Sequence, residues 1–242
     1  MSAQIIDISH RKAAKVAGFA ILTMAILAGF AYGYVLKSLV VPENANTTVN
    51  NIIASETLFR AAIFSFLLVL ICDVLTAWAL FIFLKQVNQS LSLLAAWLRL
   101  VYTAILGTAI LNFVIVLFLV SGADYLKAFE VGQVNAQVLL FLNAFNGIWS
   151  IGLIVFGCHL IVLGYLAFKS GYIPKIFGIL LIIASLCYIV SNSASLLLSD
   201  YERYKGTVES ILSVPMIIGE LGFGLWLLFK GGKMPGQYPN LE

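Results

Sequence analysis

The sequence predicts an all-α fold, an integral membrane bundle of six transmembrane helices with both termini in the cytoplasm. Three observations predict it. First, 62% of the 242 residues are hydrophobic, only 10% are charged, and the mean hydropathy is +1.02. Second, the apolar residues fall into six runs long enough to cross a bilayer. Third, basic residues favour alternate connections between these runs. A soluble domain carries about 25% charged residues, so a soluble globular fold is excluded as the default.

The six predicted spans lie near residues 16–35, 61–84, 91–120, 138–168, 173–198 and 211–229 of a single transmembrane domain, 1–242. Each reaches or approaches the roughly 20 residues that a helix needs to cross the hydrocarbon layer. Backbone groups in lipid must form hydrogen bonds within their own segment, and no period-two alternation indicates a barrel. These runs are therefore helices, and the third and fourth are long enough to require tilt.

The first span is interpreted as a retained helix, although Arg11, Lys12 and Lys15 precede it as in a signal peptide. It is longer than a signal-peptide core and no small-residue cleavage site follows. The next segment, 36–60, contains VPENANTTVNN and is predicted to be an outer loop. Between the fourth and fifth spans, Gly171 can end one helix and Pro174 can begin the next, which predicts a tight hairpin.

The orientation follows from the basic residues outside the spans. With the N-terminus inside, the inner segments hold eight of them: Arg11, Lys12, Lys15, Lys85, Lys169, Lys175, Lys230 and Lys233. The outer segments hold five: Lys37, Arg60, Lys127, Arg203 and Lys205. Because cytoplasmic loops are enriched in lysine and arginine, both termini are predicted to be cytoplasmic.

Four of the spans contain an ionisable residue, and these residues form the candidate site. They are Asp73, Arg99, His159 and Glu220. At about 1.5 Å per helical residue, each lies roughly 12–16 Å from the inner end of its span, so all four can share one layer. An ionisable side chain at this depth costs at least about 2.5–3.5 kcal/mol. We therefore expect them to converge as a ligand-binding or proton-handling cluster.

Each of the four also has a structural interpretation. Arg99 follows Trp97 and can snorkel to the inner head groups. Asp73 can be protonated or can pair with a cation to lock the second helix to the third. His159 can be a neutral core histidine bonded to a backbone carbonyl. Glu220 can make a structural hydrogen bond between closely packed helices.

Secondary polar lining is predicted on the fourth and fifth spans. On the fifth, small or polar residues recur every seven positions, which favours helix packing or the wall of a hydrated path: Gly178, Ser185, Asn192 and Ser199. On the fourth, Asn143, Asn146 and Ser150 share one face and His159 lies nearly opposite. A helix that is polar on two sides is expected to be central in the bundle.

Several segments together resemble a bacterial family of polytopic membrane proteins catalogued as domain of unknown function 4386. The segments are ASETLFR (54–60), ICDVL (71–75), LKQVNQSLSLLAAWLRL (84–100), SGADYLKAF (121–129), GCHLIVLGYLAFKSGYIPKIFG (157–178) and GELGFGLWLLFKGG (219–232). The resemblance covers nearly the whole chain. It implies a bacterial inner-membrane location and no particular activity.

Three classes of function fit these residues. The favoured one is binding or transport of a small polar solute, a proton or a lipid head group at the polar cluster. A second is an intramembrane metal-dependent hydrolase acting on lipid, because one histidine and two carboxylates can hold a catalytic zinc ion. A third is a structural or sensory membrane subunit. No cofactor is expected.

The expected partners are the lipid bilayer and a small polar solute or lipid. The absence of a basic run, a phosphate loop and a dinucleotide fingerprint argues against nucleic-acid and nucleotide partners. A membrane oligomer is compatible with the sequence.

Overall fold

The computed structural model describes residues 9–198 and 200–232. Within them the chain forms seven helices, of which all but α2 are long and apolar enough to span a membrane. This confirms the predicted all-helical, six-span membrane fold. The helices are α1 (His10–Leu39), α2 (Ala45–Ala54), α3 (Glu56–Leu84), α4 (Gln89–Leu119), α5 (Val131–Lys169), α6 (Lys175–Leu197) and α7 (Glu202–Phe229).

Four positions used in the sequence predictions are outside this description. Ser199, the last member of the α6 stripe, and Lys233, one of the inner cations, lie outside the described residues. The side chains of Arg203 and Lys205 also lie outside them. All four residues of the candidate site, Asp73, Arg99, His159 and Glu220, lie within the described residues.

The six spans are arranged as a ring. Each span packs against the next one along the chain, and α7 packs back against α1. The expectation that α5 occupies the centre is wrong, because α5 packs mainly between α4 and α6. Its polar residues face different surroundings: His159 contacts α4, while Asn146 lies near Tyr32 of α1. A helix in a ring can therefore be polar on two sides without being central.

The ring closes where α1 and α7 approach closely. A Cβ on Gly18 would lie 2.6 Å from the Gly224 carbonyl oxygen, so only glycine fits there without a shift. Arg11 also reaches across to α7, and its Nη2 donates to the carbonyl of Phe229 at 2.9 Å. The helix begins at His10, six residues before the predicted start of the first span, and the Ser9 hydroxyl caps it by accepting from the Lys12 backbone N–H.

Aromatic rings fill the end of the bundle that holds residues 9–15, which we call the N-terminal end. We name the group His10, Phe83, Tyr172 and Trp226 the N-terminal plug. The His10 and Phe83 rings lie 4.3 Å apart, and those of Phe83 and Trp226 lie 6.4 Å apart. The Phe83 carbonyl accepts hydrogen bonds from His10 Nε2 at 2.7 Å and the Tyr172 hydroxyl at 2.8 Å. Burial raises the pKa of Tyr172, which keeps this phenol a donor.

At the opposite end, a helix occupies much of the segment predicted to be a loop. The prediction for 36–60 is wrong in this respect, because α2 spans Ala45–Ala54. Asn44 caps it, with Oδ1 accepting from the Thr47 backbone N–H at 3.0 Å. Asn51 then bonds the Leu39 carbonyl at 3.1 Å, tying α2 to α1. The polar residues of this segment cap and anchor a short helix rather than form an open turn.

Replacing Gly18 with alanine tests the closure of the ring. The added Cβ meets the α7 backbone, so we expect Gly18→Ala to lower the free energy of unfolding by about 1–3 kcal/mol. Gly33→Ala is the control, since a Cβ at Gly33 meets nothing within 4 Å. It should be neutral or stabilising by up to about 1 kcal/mol. Denaturant unfolding in detergent measures both, and equal stabilities would contradict a tight α1–α7 contact.

Candidate functional site

A cavity of about 410 Å³ lies inside the ring, and every span contributes to its wall. This volume falls within the usual range for small-ligand sites, roughly 300–1,000 Å³. Most of the wall is apolar. The polar and aromatic lining residues include Asp73 of α3, Arg99 and Tyr102 of α4, Trp149 and Phe156 of α5, Tyr188 of α6 and Glu220 of α7.

Asp73 and Arg99 form a buried ion pair between α3 and α4. Arg99 Nη2 lies 2.7 Å from Asp73 Oδ1, and the two residues are 4% and 2% exposed, respectively. The Arg99 guanidinium therefore points into the protein, which does not fit snorkelling to the head groups. The structural interpretation of Asp73, a pair that joins the second span to the third, describes this contact.

His159 supports the guanidinium from α5. Its Nδ1 lies 2.8 Å from the Ala95 carbonyl and its Nε2 lies 3.3 Å from Arg99 Nη1. A carbonyl only accepts and a guanidinium only donates, so this pattern requires the proton on Nδ1 and a neutral ring. The Phe156 ring also faces Arg99, with 5.3 Å between its centroid and Cζ. The cation is thus held by an acid, an imidazole and an aromatic face.

Glu220 lines the same cavity from α7 but has a different partner. Its Oε1 accepts a hydrogen bond from the Tyr188 hydroxyl at 2.6 Å, and no other hydrogen bond to Glu220 is found among the described residues. Tyr188 packs edge-on against Phe156 at 5.3 Å. Phe156 therefore connects the Glu220–Tyr188 pair to the ion pair. The structure brings Asp73, Arg99 and His159 into direct contact and places Glu220 on the wall that they share.

The charges of this cluster do not cancel when both acids are ionised. Asp73 and Arg99 neutralise each other, His159 is neutral, and Glu220 remains as an uncompensated carboxylate. One donor is also unused: Arg99 Nε is buried without a hydrogen-bond partner in the described part of the chain. Such an unsatisfied buried donor costs about 1–3 kcal/mol.

The arrangement does not match a zinc site. Within residues 9–198 and 200–232, no three His, Cys, Asp or Glu side chains are grouped to hold a metal ion. Both nitrogens of His159 are already engaged, one with Ala95 and one with Arg99. The carboxylates belong to separate pairs rather than facing a common centre.

The four secondary candidates lie away from the central cavity. Asn143 is exposed. Asn146 accepts from the Tyr32 hydroxyl at 3.5 Å and lines a smaller pocket of about 190 Å³. Ser185 donates to the Gly157 carbonyl at 2.7 Å, and Asn192 donates to the Tyr188 carbonyl at 2.8 Å. Ser185 joins α6 to α5, and Asn192 bonds within its own helix.

Sequence reasoning missed Tyr188 and Phe156, although both touch the charged residues. Tyr188 lies between Ser185 and Asn192 on α6, so its position among polar residues could have marked it as a candidate for the site. Phe156 precedes His159 by three residues, within one helical turn, but nothing distinguishes it in sequence from the other sixteen phenylalanines.

Comparison with known proteins places the chain among membrane proteins of one family. Residues 16–231 match the family described as "Domain of unknown function (DUF4386)". A protein of Archaeoglobus fulgidus, described as uncharacterized, is 34% identical over 167 residues, which cover 69% of this chain and 82% of the relative. No solved structure matches the chain. Because this relative is archaeal, similarity alone does not assign the chain to a bacterial inner membrane.

Proposed function

The chain belongs to the DUF4386 family, and we propose that it binds a small cationic solute or head group in the central cavity, as a binding or transport protein. The observation that carries the proposal is Glu220: a carboxylate that faces a cavity lined by all six spans and that forms no ion pair with any residue the structure describes. The ion pair next to it is already balanced. The cavity therefore favours a ligand that brings one positive charge.

The physical reason is the cost of an isolated charge in a medium of low dielectric constant. An ionised carboxylate away from water is strongly unfavourable unless a cation or a proton accompanies it. A protonated amine can supply both the charge and N–H donors for Glu220. When the ligand leaves, a proton can take its place on the carboxylate, which couples ligand exchange to proton uptake.

In this proposal the two groups of polar side chains have different roles. Asp73, Arg99 and His159 fix the geometry of α3, α4 and α5 around the cavity. Glu220 and Tyr188 contact the ligand.

Substitution of Glu220 tests the proposal. We expect the purified protein in nanodiscs of neutral lipid to bind radiolabelled butylamine saturably. Glu220→Gln should weaken this binding by at least about tenfold, since the neutral amide removes the carboxylate charge that attracts the amine. The matched control is Glu56→Gln, the same chemical change at an exposed ion pair with Arg60. It should bind butylamine like the unmodified protein.

Two results would contradict the proposal. One is the absence of saturable butylamine binding to the unmodified protein, which would favour a structural or sensory subunit. The other is equal binding by Glu220→Gln and Glu56→Gln, which would place any cation site elsewhere.

We also propose the cytoplasmic membrane as the location, with the N-terminal end of the bundle facing the cytoplasm. The support is the excess of lysine and arginine in the segments at that end. After the three native cysteines are replaced, an impermeant maleimide should label Asp124→Cys in intact cells. It should label Ser9→Cys only after permeabilisation. Labelling in the reverse pattern would contradict this orientation.

A further inference from the structure

We propose that the ligand enters the central cavity sideways from the lipid, through a gap between α1 and α7, and that it is a long-chain amine whose hydrocarbon chain stays in the bilayer. This inference rests on the proposed function, since it assigns a substrate class to the same cavity. Glu220 contacts the amine, and the gap accommodates the chain.

The gap lies beyond the contact that closes the ring. α1 and α7 meet at Gly18 and Gly224. Seven residues further toward the opposite end, about 10 Å along each helix, are Ala25 on α1 and Ile217 on α7. Both residues line the cavity and both are exposed at the surface, Ile217 by 54%. Gly29, one turn beyond Ala25, is also an exposed lining residue.

This exposed surface faces lipid rather than water. Ala25 lies near the middle of the 30-residue span His10–Leu39, and Ile217 is twelve residues from the end of the span Gly206–Phe229. The hydrocarbon layer is about 30 Å thick, so residues at these positions are well inside it. Residues Ala25, Gly29 and Ile217 carry no polar side chain that would stabilise a water-filled entrance.

Aromatic side chains obstruct the routes along the bundle axis. Toward the N-terminal end lies the N-terminal plug. Toward the opposite end, the rings of Phe66, Phe113, Phe145 and Trp149 pack with centroid distances of 4.1–6.0 Å. Tyr32 packs edge-on against Trp149 at 5.0 Å. This aromatic packing on both sides of the cavity favours access through the lipid.

The size and polarity of the cavity favour an amphiphile. A volume of about 410 Å³ is near the lower end for small-ligand sites and holds a head group with only part of a long chain. The polar residue nearest the gap along α7 is Glu220, three residues from Ile217 and therefore on the same face of the helix. A head group at Glu220 thus leaves its chain directed along Ile217 to the lipid.

The gap is tested with bulky substitutions at two matched glycines. Gly29 and Gly33 both lie in the π-helical stretch Gly29–Leu36 of α1, both are exposed, and a Cβ at either meets nothing within 4 Å. Only Gly29 lines the cavity. Saturable binding of radiolabelled hexadecylamine and butylamine is measured in neutral-lipid nanodiscs, with Glu220→Gln defining the signal that is not site-specific.

We expect the unmodified protein to bind both amines. Gly29→Phe should weaken hexadecylamine binding by at least about tenfold, because the ring occupies the path of the chain. It should weaken butylamine binding by a clearly smaller factor, because butylamine has no long chain to place in the gap. Gly33→Phe should bind both amines like the unmodified protein.

The contrary outcomes separate the two proposals. If butylamine binds and hexadecylamine does not, the cavity is a cation site and the proposal of a long-chain amine is wrong. If both bind and Gly29→Phe matches Gly33→Phe for each, entry between α1 and α7 is wrong. If neither amine binds, the proposed function itself fails and this inference fails with it.

Discussion

The buried ion pair between Asp73 and Arg99 is the constraint on which the rest of the structure depends. Two charges placed in a medium of low dielectric constant are tolerable only when they are close and well supported. Here 2.7 Å separates Nη2 from Oδ1, and His159 and Phe156 also contact the guanidinium. The pair therefore fixes the relative positions of α3 and α4, and His159 extends that restraint to α5. Once these three helices are fixed, the remaining spans complete a ring around a cavity.

The same electrostatic argument separates structure from function within the cavity. Asp73 is neutralised by a fixed cation of the protein, so it has no charge to offer a ligand. Among the described side chains, Glu220 is hydrogen-bonded only by the hydroxyl of Tyr188, which brings no charge. Glu220 is less buried than Asp73 and has no paired cation in the described part of the chain, so it is the acid suited to exchange a cation or a proton with its surroundings. α7, which carries Glu220, also forms one side of the proposed gap to lipid. The residue that binds the charge of the ligand therefore lies beside the route by which the ligand enters.

The sequence predicted the parts of the fold that lipid alone dictates. Six apolar runs without alternation require six helices, and the high cost of intramembrane charge singled out Asp73, Arg99, His159 and Glu220. Tertiary contacts decided the rest. The contact of Arg11 with the end of α7 joins residues far apart in the chain, so no local pattern shows it. The position of α5 was predicted wrongly, because polarity on two faces fits both a central helix and a ring helix beside two different neighbours. α2 is short and polar, so hydropathy does not detect it.

A double-mutant cycle on the ion pair tests the account most directly. Arg99→Met leaves a buried acid without its cation, and Asp73→Leu leaves a buried cation without its acid. Each should lower the free energy of unfolding by about 3–5 kcal/mol, measured by denaturant unfolding in detergent. Together they replace two charges with apolar groups, so the double variant should lose much less than the sum of the two single losses. Strictly additive losses, or single variants as stable as the unmodified protein, would contradict the claim that this pair organises the bundle.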